Sequence, residues 1–76
     1  MSRNNLIVVV YAKGKYHVVG EACADTPVGF DTWEAYIESL IHRTAKWTRN
    51  WGRALVKAHK MQELIDTEYG VVNVKL

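Results

Sequence analysis

Residues 6–19 read Leu6-Ile7-Val8-Val9-Val10-Tyr11-Ala12-Lys13-Gly14-Lys15-Tyr16-His17-Val18-Val19, two β-type runs on either side of a Gly-containing tetrapeptide. β-Branched and aromatic side chains suit a pleated surface, and Gly14 can take a positive φ without steric cost, so the stretch predicts an antiparallel hairpin. The first run, Leu6 to Tyr11, is apolar on both of its alternating faces. That pattern belongs to a central strand covered on both sides, because a strand with one solvated face alternates with polar residues.

If helices cover only one face of a small sheet, the other displays either Ile7, Val9 and Tyr11 or Leu6, Val8 and Val10. An open apolar stripe marks a dimer or partner surface, so Ile7, Val9 and Tyr11 form a candidate face for a homodimer or another protein. The alternative is that a second helix or the N-terminus covers it, as a small domain must use its core fully.

Further along, Asp25-Thr26-Pro27-Val28-Gly29 reads as a turn. A helix start follows, with Asp31 as the cap, Glu34 three residues on as in a capping box, and Phe30 placed to pack on Ala35. From Trp33 the apolar or small positions recur at Ile37, Leu40, Thr44, Trp47 and Trp51, and again at Ala54, Ala58, Met61 and Ile65. This is one helical phase throughout. A single helix over residues 31–66 would be ~54 Å long, against a diameter of about 30 Å for a compact chain of this size. Asn50-Trp51-Gly52 supplies the break, since Gly is costly inside a helix and Asn and Gly suit helix ends. Two helices are expected, over 32–49 and 53–65; the alternative is one long helix whose tryptophan seam pairs with a second copy. After Asp66-Thr67-Glu68-Tyr69-Gly70 the tail Val71-Val72-Asn73-Val74-Lys75-Leu76 alternates as a third strand does. The expected fold is α+β, in the order β-β-α-α-β, with a three-stranded sheet packed on a helical layer. The 76 residues make a single domain, 1–76, with residues 1–5 disordered.

Hydrophobic residues make up 49% and charged residues 24%, which excludes a disordered chain. The single cysteine, Cys23, excludes an intramolecular disulfide and fits a cytoplasmic protein. Arg3, the apolar run and Ala22-Cys23-Ala24 carry elements of a signal peptide, but Lys13, Gly14 and Lys15 interrupt the run. It is also far too short to span a bilayer, so no membrane association is expected.

The side chains do not cluster for chemistry. His17, Cys23, His42 and His59 lack the close paired spacing of zinc ligands, so no metal or cofactor is expected. Cys23 reads as a small packing residue, and no phosphate-binding Gly-rich loop, nucleophile elbow or HExxH motif occurs. The chain is expected to be no enzyme.

Charge carries more information. From Glu21 to Glu38 every charge is acidic; then come Arg43, Lys46, Arg49, Arg53, Lys57 and Lys60; Glu63, Asp66 and Glu68 follow. At helical spacing the six cations form a one-sided basic stripe, the candidate binding site. Trp33 and Trp47 are expected in the core. Trp51, beside the break and between Arg49 and Arg53, is the candidate interface anchor or base-stacking platform. With a net charge of only +2 and acidic flanks, the stripe favours docking on an acidic protein surface. The alternative is direct DNA or RNA binding, with Asn50, Trp51 or Gln62 adding contacts to bases or sugars. In element order and in its basic, tryptophan-containing segment the chain resembles small phage-encoded proteins that inhibit host transcription or defence complexes. That resemblance implies a regulatory inhibitor and transfers no individual residue.

Overall fold

The computed structural model describes residues 4–43, 46–65, 67 and 69–76. Of the expected disordered start, residues 1–3 lie outside the described residues. Asn4 donates its side-chain amide to Asp25 at 2.6 Å, and Asn5 opens the first strand.

The hairpin forms from β1 (Asn5–Ala12) and β2 (Lys15–Cys23), with Ala12 opposite Lys15. Only Lys13 and Gly14 remain for the loop, and both take positive φ, 51° and 77°. Two left-handed residues are what a two-residue turn needs to match the twist of its strands. At the far end the pairing slips: Val8 faces Val19 but Leu6 faces Ala22, with Glu21 at φ 57° in between. An unbroken register would set Glu21 opposite Leu6, in the core. The bulge turns Glu21 out to solvent and buries Ala22 in its place.

The remaining elements are α1 (Trp33–Arg43), β3 (Trp47–Thr48), α2 (Trp51–Leu64) and β4 (Val71–Lys75). The class is α+β and the order of the main elements is β-β-α-α-β, as expected, but the sheet has four strands, in the order β3-β2-β1-β4. The extra strand is two residues long, antiparallel to β2, while β4 runs parallel to β1. β1 is thus central.

Both helix boundaries differ from expectation. α1 is capped by Thr32, whose Oγ1 accepts from the Ala35 amide at 3.1 Å, one residue later than Asp31. Phe30 packs edge-on against Tyr36. α1 ends at Arg43, and Asn50 is the N-cap of α2, its Oδ1 accepting from the Arg53 amide at 3.1 Å. Asn50-Trp51-Gly52 is therefore a helix start, not a hinge within a helix. The molecule's longest extent of 33 Å leaves no place for the single long helix. Thr44, counted in the shared apolar phase, and Asp66 and Glu68, which precede the expected last strand, lie outside the described residues.

The helices do not form one layer. Tyr36 and Ile37 of α1 bury Leu6, Val8, Val10, Val19 and Ala22, whereas Ala54 and Ala58 of α2 bury Ile7, Val9 and Val18 on the opposite face. Ile7 and Val9, at 0% and 1% exposure, are core and not a dimer face; Tyr11, at the strand's end, is half-buried. The cause is the double-sided apolarity of β1: each face needs a cover, each buried Val or Ile contributes roughly 1.5–3 kcal/mol, and the chain has two helices to supply it.

Candidate functional site

β3 lies on the open edge of β2, with Trp47 opposite His17 and Thr48 opposite Tyr16. Alternation then sends Trp47 to the α1 side and Thr48 to the α2 side. Trp47 is 45% exposed, contrary to its expected place in the core, because the segment that carries it is an edge strand and not part of α1. Its ring gathers cations: the Lys15 ammonium stands 4.2 Å from the ring centroid and the Arg49 guanidinium 5.4 Å. Each such contact at an exposed ring is worth about 0.5–1 kcal/mol.

Around this ring the basic residues separate into groups. Lys46, Arg53 and Lys57 line a narrow groove of about 110 Å³ beside Trp47 and Thr48, on the α2 side. Arg53 and Lys57 continue with Lys60 along the outer face of α2, where Asn50, Gly52 and Val56 complete an open depression. Arg43, exposed in the last turn of α1, lines none of these hollows. The expected stripe is thus a cluster drawn from the hairpin, β3 and α2. Among the described residues none of Lys15, Lys46, Arg49, Arg53 and Lys57 is paired with a carboxylate.

Trp51 is exposed too, at 39%, but its neighbours are not the expected arginines. It meets Tyr16 at a tilt, with 5.4 Å between ring centroids, and Tyr16 in turn meets Tyr11 at 4.7 Å. This aromatic row borders an open hollow with Asn73 and Lys75 of β4. The ring flanked by two cations is Trp47.

The strand axis also sorts the charges. β1 starts beside Cys23 and Asp25 and ends at the Lys13-Gly14 turn, with Lys75 opposite Tyr11. α1 starts at the acidic end, with Glu34 in its first turn, and finishes with His42 and Arg43 at the basic end. α2 starts beside Tyr16 at the basic end with no acidic residue in its first turn, so its N-terminal partial charge adds to the cations. One end of the molecule is cationic and the other carries Glu21, Asp25, Asp31 and Glu34.

No family model, curated protein or solved structure matches this chain.

Among the described residues no group of three metal-ligating side chains forms, and no helix is long and apolar enough to cross a membrane. Cys23 is a free, exposed cysteine. Sequence reasoning passed over Lys15 and placed Trp47 in the core. A signal was present: Asn50 is a favoured cap ahead of the apolar periodicity of α2, and reading it so ends the preceding helix early and frees Trp47 for an edge.

Proposed function

We propose that this chain is a small non-enzymatic binding protein that docks by its basic end, centred on Trp47, onto an acidic protein surface. The observation that carries the reading is the polarity of the fold: cations with no carboxylate partner among the described residues gather around one exposed tryptophan, and Glu21, Asp25, Asp31 and Glu34 stand at the opposite end. Such a distribution orients an incoming partner and repels the wrong approach, and an aromatic ring amid arginines is a usual anchor for an interface. In the setting suggested by the resemblance to small phage-encoded inhibitors, the target is a host nucleic-acid-handling complex such as transcription or defence machinery. A channel that holds nucleic acid is itself cationic and repels this end, so the contact belongs on an acidic surface outside it.

Direct binding of DNA or RNA is the second reading, and the exposure of Trp47 beside Lys15 and Arg49 favours it. Two experiments separate them. Pull-down from cell extract is expected to retain a nuclease-resistant protein partner that is lost when Arg49 and Arg53 are both changed to Glu; an unchanged partner set removes the basic end from the function. Titration with random-sequence duplex and single strands is expected to show little binding at physiological salt. Tight binding that weakens steeply with salt would replace the first reading by the second.

A further inference from the structure

On the α1 side of the sheet, at the basic end, lies a cavity of about 480 Å³, within the range of small-molecule sites, roughly 300–1,000 Å³. The hairpin end supplies Lys13, Lys15 and His17 to its wall, and the last turns of α1 supply Glu38, Ile41 and His42. Trp47 closes it at the sheet edge. His17 is the informative member. Its Nδ1 is shielded from solvent and makes no hydrogen bond among the described residues, an arrangement that calls for a ligand atom.

We propose that this cavity is a binding site for a small planar aromatic carboxylate. Among the side chains of its wall, Lys13 and Lys15 face the single carboxylate of Glu38, an excess of positive charge that suits an anion. Ile41 and the indole edge of Trp47 supply an apolar wall for the body of the ligand. The Lys15 ammonium stands over one face of the Trp47 ring, 4.2 Å from its centroid, where it can pair with the carboxylate of a ligand whose ring packs on Ile41 and the indole edge. His17, with Nδ1 protonated, donates to the same group. Burial first, then Lys15 and His42, hold the His17 pKa below its ordinary 6.5, so an anion in the cavity reverses part of that bias and moves the pKa up. The site shares Trp47 with the docking surface but does not depend on it.

Titration of the full chain with benzoate, followed by amide and imidazole nuclear magnetic resonance, tests the assignment. Saturable shifts are expected at the hairpin end, the last turns of α1 and the Trp47 indole, with a rise in the His17 pKa. Lys15→Gln is expected to weaken binding roughly tenfold or more, as loss of a charge-assisted hydrogen bond does. Glu38→Gln is expected to strengthen it, an opposite effect that a folding defect does not produce. Absence of saturable shifts, equal binding of the neutral benzamide, or preferential binding of inorganic phosphate or adenosine monophosphate would each overturn the proposal. Benzoate binding that survives Arg53→Glu while the pulled-down partner is lost separates this site from the docking surface.

Discussion

The peptide of Cys23 fixes where α1 sits on the sheet. Its N–H donates to the Tyr36 hydroxyl at 2.9 Å, and its carbonyl accepts from Trp33 Nε1 at 2.8 Å. Two side chains one turn apart thus clamp the end of β2. Tyr36→Phe keeps the ring in the core but leaves the Cys23 amide unpaired, so a loss of about 1–2 kcal/mol is expected. Urea unfolding checks it: the midpoint falls while the slope, set by exposed surface, does not change. His17 makes a different prediction. Desolvation, with Lys15 and His42 adding to it, lowers its pKa in the folded state. The unfolded chain therefore binds that proton more readily, and stability falls as pH drops from 6.5 through the lower folded value. Thermal melts across the histidine range should show this loss, and His17→Gln should flatten it; an unchanged slope in the variant would place the acid sensitivity elsewhere.

At the scale of elements, the sequence was legible wherever the signal is local. The hairpin, its Gly14 turn and the alternating last strand each follow from a few adjacent residues, and both the class and the order of the main elements were readable from them. β3 was not legible, because two residues cannot show a period and the strand exists only through its pairing with Tyr16 and His17. The face on which each helix packs was also hidden: α1 and α2 share one apolar phase in sequence yet cover opposite sides of β1, and periodicity within an element says nothing about which side it joins. The cations do not share one helical stripe for a related reason: residues 46–50 hold an edge strand and a cap, where spacing along a helix has no meaning. Asn50 is the decisive residue there. Gly52 makes room for its cap, as a Cβ at that position would stand 3.2 Å from Asn50 Oδ1. Asn50→Ala is expected to cost about 1 kcal/mol and Asn50→Asp to restore the cap with a charge suited to the helix N-terminus. Thermal unfolding followed by circular dichroism ranks the three; no difference between Asn and Ala would mean that the cap contributes nothing to α2.

For the whole molecule, the separation of charge is a product of topology. A parallel β4 brings Lys75 to the same end as the Lys13-Gly14 turn, and α2, starting at β3, points its N-terminus there as well. The net charge of +2 would attract a polyanion only weakly, so the docking reading depends on where the charges stand and not on their sum. A charge-swap variant isolates this. Lys46→Glu with Arg49→Glu removes the cations flanking Trp47 in sequence, and Asp31→Lys with Glu63→Lys returns the lost charge at exposed positions away from that ring. The net charge is unchanged while the polarity is largely abolished. If position decides, the swapped chain loses its partner as fully as the double reversal alone, and association slows most at low ionic strength, where steering is strongest. If the sum decides, the swap restores binding. Association rates for wild type, double reversal and swap, each at two salt concentrations, distinguish the outcomes, and recovery in the swap would remove the polar end of this fold from the account of what it does.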